Sequence, residues 1–293
     1  MNTLKRYFIA TRPWSFPVSV APVALTVCYL WNDPLVVHLD LGLWAIVSIM
    51  LFHAASNLFS DYYDYKKGVD TDPSIGSPTI TGGLLTARQT IIYAWVLLVI
   101  ATINGLIMAY HTGWPLLVIG GIGALLIILY PWLKYHALGD LDIFLTFGIL
   151  PTLGTAFVMT EQILWSSLWI TLSFATITVA VLHANNTRDC GRDGNAKIHT
   201  FAMLIGPKAC QWVYYIEVWL PVVWVLFCVC IGKMPWPVLI ASALASIVAF
   251  RNTKVMYQWG KGGSIDILDQ MTAQHQIVNI VMMTIGFIGI MML

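Results

Sequence analysis

Asn57-Leu58-Phe59-Ser60-Asp61-Tyr62-Tyr63-Asp64-Tyr65-Lys66-Lys67-Gly68-Val69-Asp70-Thr71-Asp72 marks a boundary, because the residues 41–60 that lead into it hold no Asp, Glu, Lys or Arg, and the segment itself ends in a dense run of charge. An apolar run of about 20 residues is what a helix needs to cross a hydrocarbon core roughly 30 Å thick. The segment therefore reads as the end of a transmembrane helix that emerges into water. The whole chain is consistent with this reading: 58% of its 293 residues are hydrophobic and only 10% are charged, far from a soluble composition. Its net charge of +1 gives no basic excess of the kind that nucleic-acid binding requires. The five cysteines show no metal-ligand spacing, so neither zinc nor disulfides are expected.

Working outward in both directions, runs of spanning length recur at about 14–31, 89–110, 113–133, 141–160, 163–186, 211–231, 236–250 and 273–292, which with 41–60 makes nine. The expected fold is all-α: a polytopic membrane protein with nine transmembrane helices forming one domain over 1–293. The positive-inside rule tests this count, because a missed helix would invert every later loop. With the N-terminus cytoplasmic, every Lys and Arg except Lys233 falls on the cytoplasmic side. The expected topology is N-terminus inside and C-terminus outside. Ten carboxylates share that side, although insertion does not draw acidic residues there.

A second polar helix end, Asn185-Asn186-Thr187-Arg188-Asp189-Cys190-Gly191-Arg192-Asp193, repeats the Asn-xxx-Asp spacing of the first, 128 residues further on. Spacings of three, four and seven stack Asn57, Asp61 and Asp64 on one helical face, and spacings of four stack Asn185, Asp189 and Asp193 on another. Facing sets of carboxylates and carboxamides are hard oxygen donors suited to Mg2+, which shares its coordination shell with substrate phosphates. The same face carries Lys67, Lys134, Arg188, Arg192 and Lys197, with Arg12 near the first span. Carboxylates together with bases point to a metal-diphosphate site. Metal ligation is assigned to Asn57, Asp61, Asp64, Asn185, Asp189 and Asp193, with the four aspartates as catalytic residues. Diphosphate contact is assigned to Lys67, Lys134, Arg188, Arg192, Lys197 and Tyr130. Arg12, Asp70, Asp140, His53 and His183 are further substrate-contact candidates. For His53 and His183, helix packing is the competing reading, and for Asp140 it is compensation of a helix N-terminus. Polar helix ends at a membrane surface are common in themselves.

These motifs resemble the UbiA-type superfamily of intramembrane aromatic prenyltransferases, and most closely its 1,4-dihydroxy-2-naphthoate polyprenyltransferase branch. The resemblance rests on Arg12-Pro13, on Asn57, Asp61, Tyr62, Asp64, Gly68, Asp70 and Thr71, on Tyr130-Pro131 with Lys134, on Leu138-Gly139-Asp140, and on Asn185, Asn186, Arg188, Asp189 and Asp193. The sequence departs from that pattern at two points. Lys197 sits one place before the usual lysine position, which Ile198 fills, and Gly76-Ser77-Pro78-Thr79 lacks the arginine that many relatives carry there. The resemblance implies the superfamily's fold and Mg2+-dependent transfer from a polyprenyl diphosphate to an aromatic acceptor. It implies 1,4-dihydroxy-2-naphthoate as that acceptor, losing its carboxylate to give demethylmenaquinone, with the chain resident in the cell (inner) membrane. Sibling acceptors such as 4-hydroxybenzoate, homogentisate or a lipid stay open. An ion-coupled transporter is the competing class, but its carboxylates belong near the bilayer midplane, not at helix ends.

Overall fold

The structure is a computed structural model that describes residues 2–69 and 77–291, and it is helical almost throughout. A short helix α1 (Thr3–Ala10) precedes α2 (Phe16–Leu30), α3 (Leu39–Lys67), α4 (Ala87–Thr112) and α5 (Pro115–Tyr135). The second half comprises α6 (Gly139–Phe144), α7 (Leu150–Thr160), α8 (Ala175–Asn195), α9 (Phe201–Ile205), α10 (Pro207–Cys230), α11 (Trp236–Trp259) and α12 (Leu268–Met291). Among the described residues, seven stretches are long and apolar enough to cross a membrane, and eight if the bent pair Trp165–Ser173 and Ala175–Asn195 is one span. The chain is a multi-span membrane protein. The ninth expected span, 273–292, forms α12, but its first half carries Gln274, His275, Gln276 and Asn279 and its last residues lie outside the described ones.

Apolar side chains face outward as well as inward. Along α4, Val96, Val99, Ile103, Leu106 and Ile107 are all exposed, as a lipid-facing surface requires. Inside, Ala54, Ala55, Leu58 and Phe59 of α3 pack with Ala94, Leu97 and Leu98 of α4, and with Ile127 of α5. A second core joins Leu25 of α2 to Val225, Val238 and Met283 of the last three helices. Polar groups within the bundle are paired across helices, since lipid offers no partners. Gln276 donates to the Val18 carbonyl (3.0 Å) and to Thr178 (2.6 Å), so α12 ties α2 to α8.

Two of the runs read as straight spans are broken. Residues 139–160 contain a π-helical turn, Leu145–Ile149, between α6 and α7. Pro151 follows it and has no N–H to continue the regular ladder. The run 163–186 begins as a 3-10 helix, Trp165–Ser173, and bends by 45° into α8. Its freed carbonyls find side-chain donors: Trp224 donates to Trp169 O at 2.8 Å and Asn279 to Ser173 O at 2.7 Å. Both motif helices continue past their apolar runs, α3 to Lys67 and α8 to Asn195. The two Asn-xxx-Asp clusters consequently lie on helix, not in loops.

Candidate active site

Asp61 and Asp64 lie on the inner face of the last turns of α3, with Asp61 only 1% exposed. A buried carboxylate requires a counter-charge and hydrogen bonds, and Asp61 obtains both from distant segments. Arg12, held in the left-handed backbone region (φ 55°) between α1 and α2, forms an ion pair with it through Nη2. Ser77 donates to its other oxygen at 2.7 Å and is itself hydrogen-bonded to Thr79 at 2.9 Å. Asp64 accepts from Lys134 Nζ at 3.0 Å, from the Tyr135 hydroxyl at 2.8 Å and from Ser60 at 3.1 Å. Asn57 donates its amide to Thr11 O (3.0 Å) and Ser15 Oγ (3.1 Å), which orients its carbonyl oxygen away from both.

On α8, Asp189 is held by Arg188, whose Nε donates at 2.8 Å, and by Arg192 one turn on. Arg188 also donates to Asp269 at 2.8 Å and to the Asp266 carbonyl at 3.2 Å, so the loop before α12 closes on this cluster. Asn185 Oδ1 accepts from Arg188 and is committed there. Asp193 is buried with Oδ2 unpartnered, and it lies within electrostatic reach of both Lys134 and Asp64. Lys134 is thus the group between the two clusters. Tyr130, one turn earlier on α5, lies within reach of Lys134 and Asp64.

Several expected roles are redistributed. Among the described residues no three His, Cys, Asp or Glu side chains form a ready-made metal cage. The reason is that arginine and lysine already engage Asp61, Asp64 and Asp189 and, through Arg188, Asn185. Lys67 and Lys197 line a separate crevice that has no carboxylate in its lining among the described residues. Lys67 lies one turn beyond Asp64, at the exposed last turn of α3. Lys197 adopts φ 55° beyond the end of α8, while Ile198 beside it is buried. Asp70 lies outside the described residues. His53 is buried between Phe16 and Phe147 and hydrogen-bonded to Ser19 at 2.9 Å, which matches the packing reading. Asp140 faces inward to His183 (3.8 Å), which also meets Glu217 of α10 at 3.7 Å. Ser77, Thr79, Tyr135, Glu217 and Asp269 had not been singled out as site residues, and only Tyr135, adjacent to Lys134, carried a local signal.

An apolar cavity of about 390 Å3 lies between α3, α4, α5 and α7, lined by Ile49, Phe52, Gly105, Gly120, Leu150 and Gly154 among others. The bundle thus holds a carboxylate-rich, cation-paired cluster at its helix ends and an apolar cavity lined by other residues.

Residues 19–263 match the UbiA prenyltransferase family. UbiA prenyltransferase domain-containing protein 1 of Danio rerio is 33% identical over 238 residues, which is 76% of this chain and 67% of that protein. Its Homo sapiens counterpart is 32% identical over 221 residues, 73% of this chain and 65% of that protein. The chain thus spans about two thirds of the length of these relatives. Among solved structures, a UbiA homolog from Archaeoglobus fulgidus bound to GPP and Mg2+ superposes with a TM-score of 0.71 at 14% identity, covering 98% of this chain and 99% of that one. A UbiA homolog from Aeropyrum pernix K1 gives 0.71 at 12% identity, with 99% of each chain covered. At such identities the structural likeness establishes the fold, and the sequence match establishes the lineage: the chain is a membrane-embedded enzyme belonging to the UbiA prenyltransferase family.

Proposed function

We propose that the enzyme transfers a polyprenyl group from an allylic polyprenyl diphosphate to an aromatic acceptor, 1,4-dihydroxy-2-naphthoate, with Mg2+ as cofactor. The reaction is assigned to the cytoplasmic end of a nine-span bundle in the cell membrane. One observation carries the reading: Lys134 is ion-paired with Asp64 of α3 at 3.0 Å and its charge also acts on the buried Asp193 of α8, so one ammonium group bears on carboxylates from both motifs. The acceptor rests on the motif resemblance, and the diphosphate and Mg2+ are also what the Archaeoglobus fulgidus homolog holds as GPP and Mg2+.

The donor set fits Mg2+. This ion commonly takes only one or two carboxylates and fills its shell with water and phosphate oxygens. Asp193 offers a buried, unpartnered oxygen, and Asn57 an oriented carbonyl. Asp61, Asp64 and Asp189 add charge once their cations turn to phosphate. Mg2+, when bound, would neutralise the diphosphate and improve it as a leaving group.

The chain's own residues supply the rest. Arg12, Lys134, Arg188 and Arg192, now paired with carboxylates, are placed to bind phosphate oxygens, the arginines in a bidentate manner. The allylic C–O bond then breaks, the bonding electrons leave with diphosphate, and the positive charge spreads over the allyl group. The Tyr130 ring at the site can stabilise that cation through its π-face. The apolar cavity accommodates prenyl carbons and keeps water from quenching the cation. The electron-rich acceptor ring forms the new C–C bond to the allyl cation and regains aromaticity as its carboxylate leaves as CO2, the electrons of the broken C–C bond returning to the ring.

The test uses purified protein in detergent with Mg2+, a radiolabelled polyprenyl diphosphate and separate acceptors: 1,4-dihydroxy-2-naphthoate, 4-hydroxybenzoate, homogentisate and a glycerol-phosphate lipid. Prenylated naphthoate formed without a transmembrane gradient, and abolished by chelation, is the expected result. Product from a different acceptor would overturn the acceptor assignment while leaving the family chemistry intact. Asp61→Asn and Asp189→Asn should each lower turnover by at least about 100-fold, the range seen when one electrostatic contact to a reacting group is removed. Wild-type turnover in either variant would refute the site.

A further inference from the structure

The crevice that takes Lys67 and Lys197 away from the carboxylates has a chemistry of its own. It measures about 840 Å3 and lies where the ends of α3 and α5 meet the segment between α8 and α9. Among the described residues its polar lining is basic and aromatic, with Lys67, Lys197, His136, His199, Tyr63 and Tyr135 and no carboxylate. Neither lysine has an ion-pair or hydrogen-bond partner among the described residues. The two histidines are brought together by a backbone bridge, in which His199 N–H donates to Tyr135 O at 3.1 Å. His136 stacks on Trp132 with ring centroids 4.2 Å apart, and its Nδ1 is hydrogen-bonded to the Trp132 carbonyl. Its Nε2 has no hydrogen-bond partner among the described residues.

The lower wall is apolar and opens to lipid. Leu129 and Trp132 line the crevice and end an exposed stripe on α5 that continues through Val118, Ile122 and Leu125. Leu204 of the short helix α9, 74% exposed, flanks the opposite side. A basic head site continuous with a lipid-facing apolar stripe has the polarity of an anionic amphiphile. A free anion would use the lysines but not the stripe.

We propose that this crevice is a binding site for the phosphate headgroup of an anionic phospholipid, whose acyl chains lie along the exposed face of α5. Tyr135 belongs both to this crevice and to the hydrogen bonds of Asp64, so a bound lipid sits one side chain away from the candidate active site. The inference does not depend on the identity of the prenyl acceptor.

Native mass spectrometry of the full chain, released from micelles doped with equal amounts of phosphatidylglycerol and phosphatidylcholine of identical acyl chains, tests it directly. The wild type is expected to retain phosphatidylglycerol preferentially. Lys67→Ala/Lys197→Ala should lose that preference by roughly 25-fold, about fivefold for each lysine at a membrane surface. The control pair Lys233→Ala/Lys261→Ala, remote from the crevice, should keep it. Should the alanine pair fail to fold, Lys67→Gln/Lys197→Gln keeps the side-chain length, removes the charge and carries the same expectation. Equal retention in wild type and the charge-removed variants would overturn the proposal. Displacement of the lipid by millimolar inorganic phosphate would show an anion site that ignores the acyl chains, and would overturn it too. So would a loss of GPP binding with lipid retention unchanged, which would return the lysines to the substrate.

Discussion

Asp64 shows how much one side chain in this site depends on its neighbours. Three donors surround it, of which only Lys134 is charged, so the Tyr135 hydroxyl can be removed without deleting a charge. Tyr135→Phe should lower kcat/KM about tenfold, the effect of one lost hydrogen bond to a charged group at roughly 1.5 kcal/mol; steady-state kinetics with varied polyprenyl diphosphate will show it. His183 carries a different weight. It is fully buried between Asp140 and Glu217, at 3.8 and 3.7 Å, distances too long for hydrogen bonds, so the group is held by charge and by any water between its members. His183→Ala leaves the buried carboxyl groups of Asp140 and Glu217 without the imidazole between them. A loss of about 3 kcal/mol is expected, read as a lowered unfolding midpoint in detergent. At this scale the sequence was partly legible. Asp61, Asp64, Asp189 and Asp193 reveal themselves by turn-to-turn spacing, which is local geometry. Ser77, backed by Thr79, reaches Asp61, and Asp269 reaches Arg188, from segments that no periodicity relates to them.

The helices place these residues through their irregularities as much as through their regular parts. Hydropathy located every run, because apolar content determines what lipid will accept. It ended α3 and α8 too early, since a helix can continue into water with polar side chains, and it could not see the π-turn at 145–149 or the bend before α8. Those features depend on which carbonyls find donors, a property of the packed neighbours. Gly148 shows why the π-turn can exist: a Cβ there would come within 2.8 Å of the Ala175 Cβ and 3.3 Å of Thr171 Cγ2. The close approach packs the 139–160 span against the bend that aims α8. Gly148→Ala should cost about 1–3 kcal/mol by overpacking, together with reduced turnover, measured as thermal midpoint and rate on the same preparation. An unchanged midpoint would mean that the bend relaxes at no cost.

For the molecule as a whole, the charge asymmetry makes a topological prediction. In a cysteine-free background, Lys233→Cys should react with a membrane-impermeant maleimide added outside intact cells, whereas Lys261→Cys should react only after permeabilisation. The reverse pattern would invert the orientation. The span count was legible to the extent that seven or eight helices pass a length-and-apolarity test. The last helix escapes that test because its first half is polar on behalf of its neighbours: Gln276 and Asn279 pair with groups on α2, on α8 and at the bend before it. This arrangement has a consequence for biosynthesis. A chain inserted from its N-terminus has the partners of Asp61 and Asp64 as soon as residue 135 has been made. Arg188 waits for Asp269, and the carbonyls of Val18 and Ser173 wait for α12. A ribosome stalled after α11 would therefore leave in the bilayer a protein with one motif furnished and the other half-built, its unmet backbone carbonyls exposed to the quality-control machinery of the membrane.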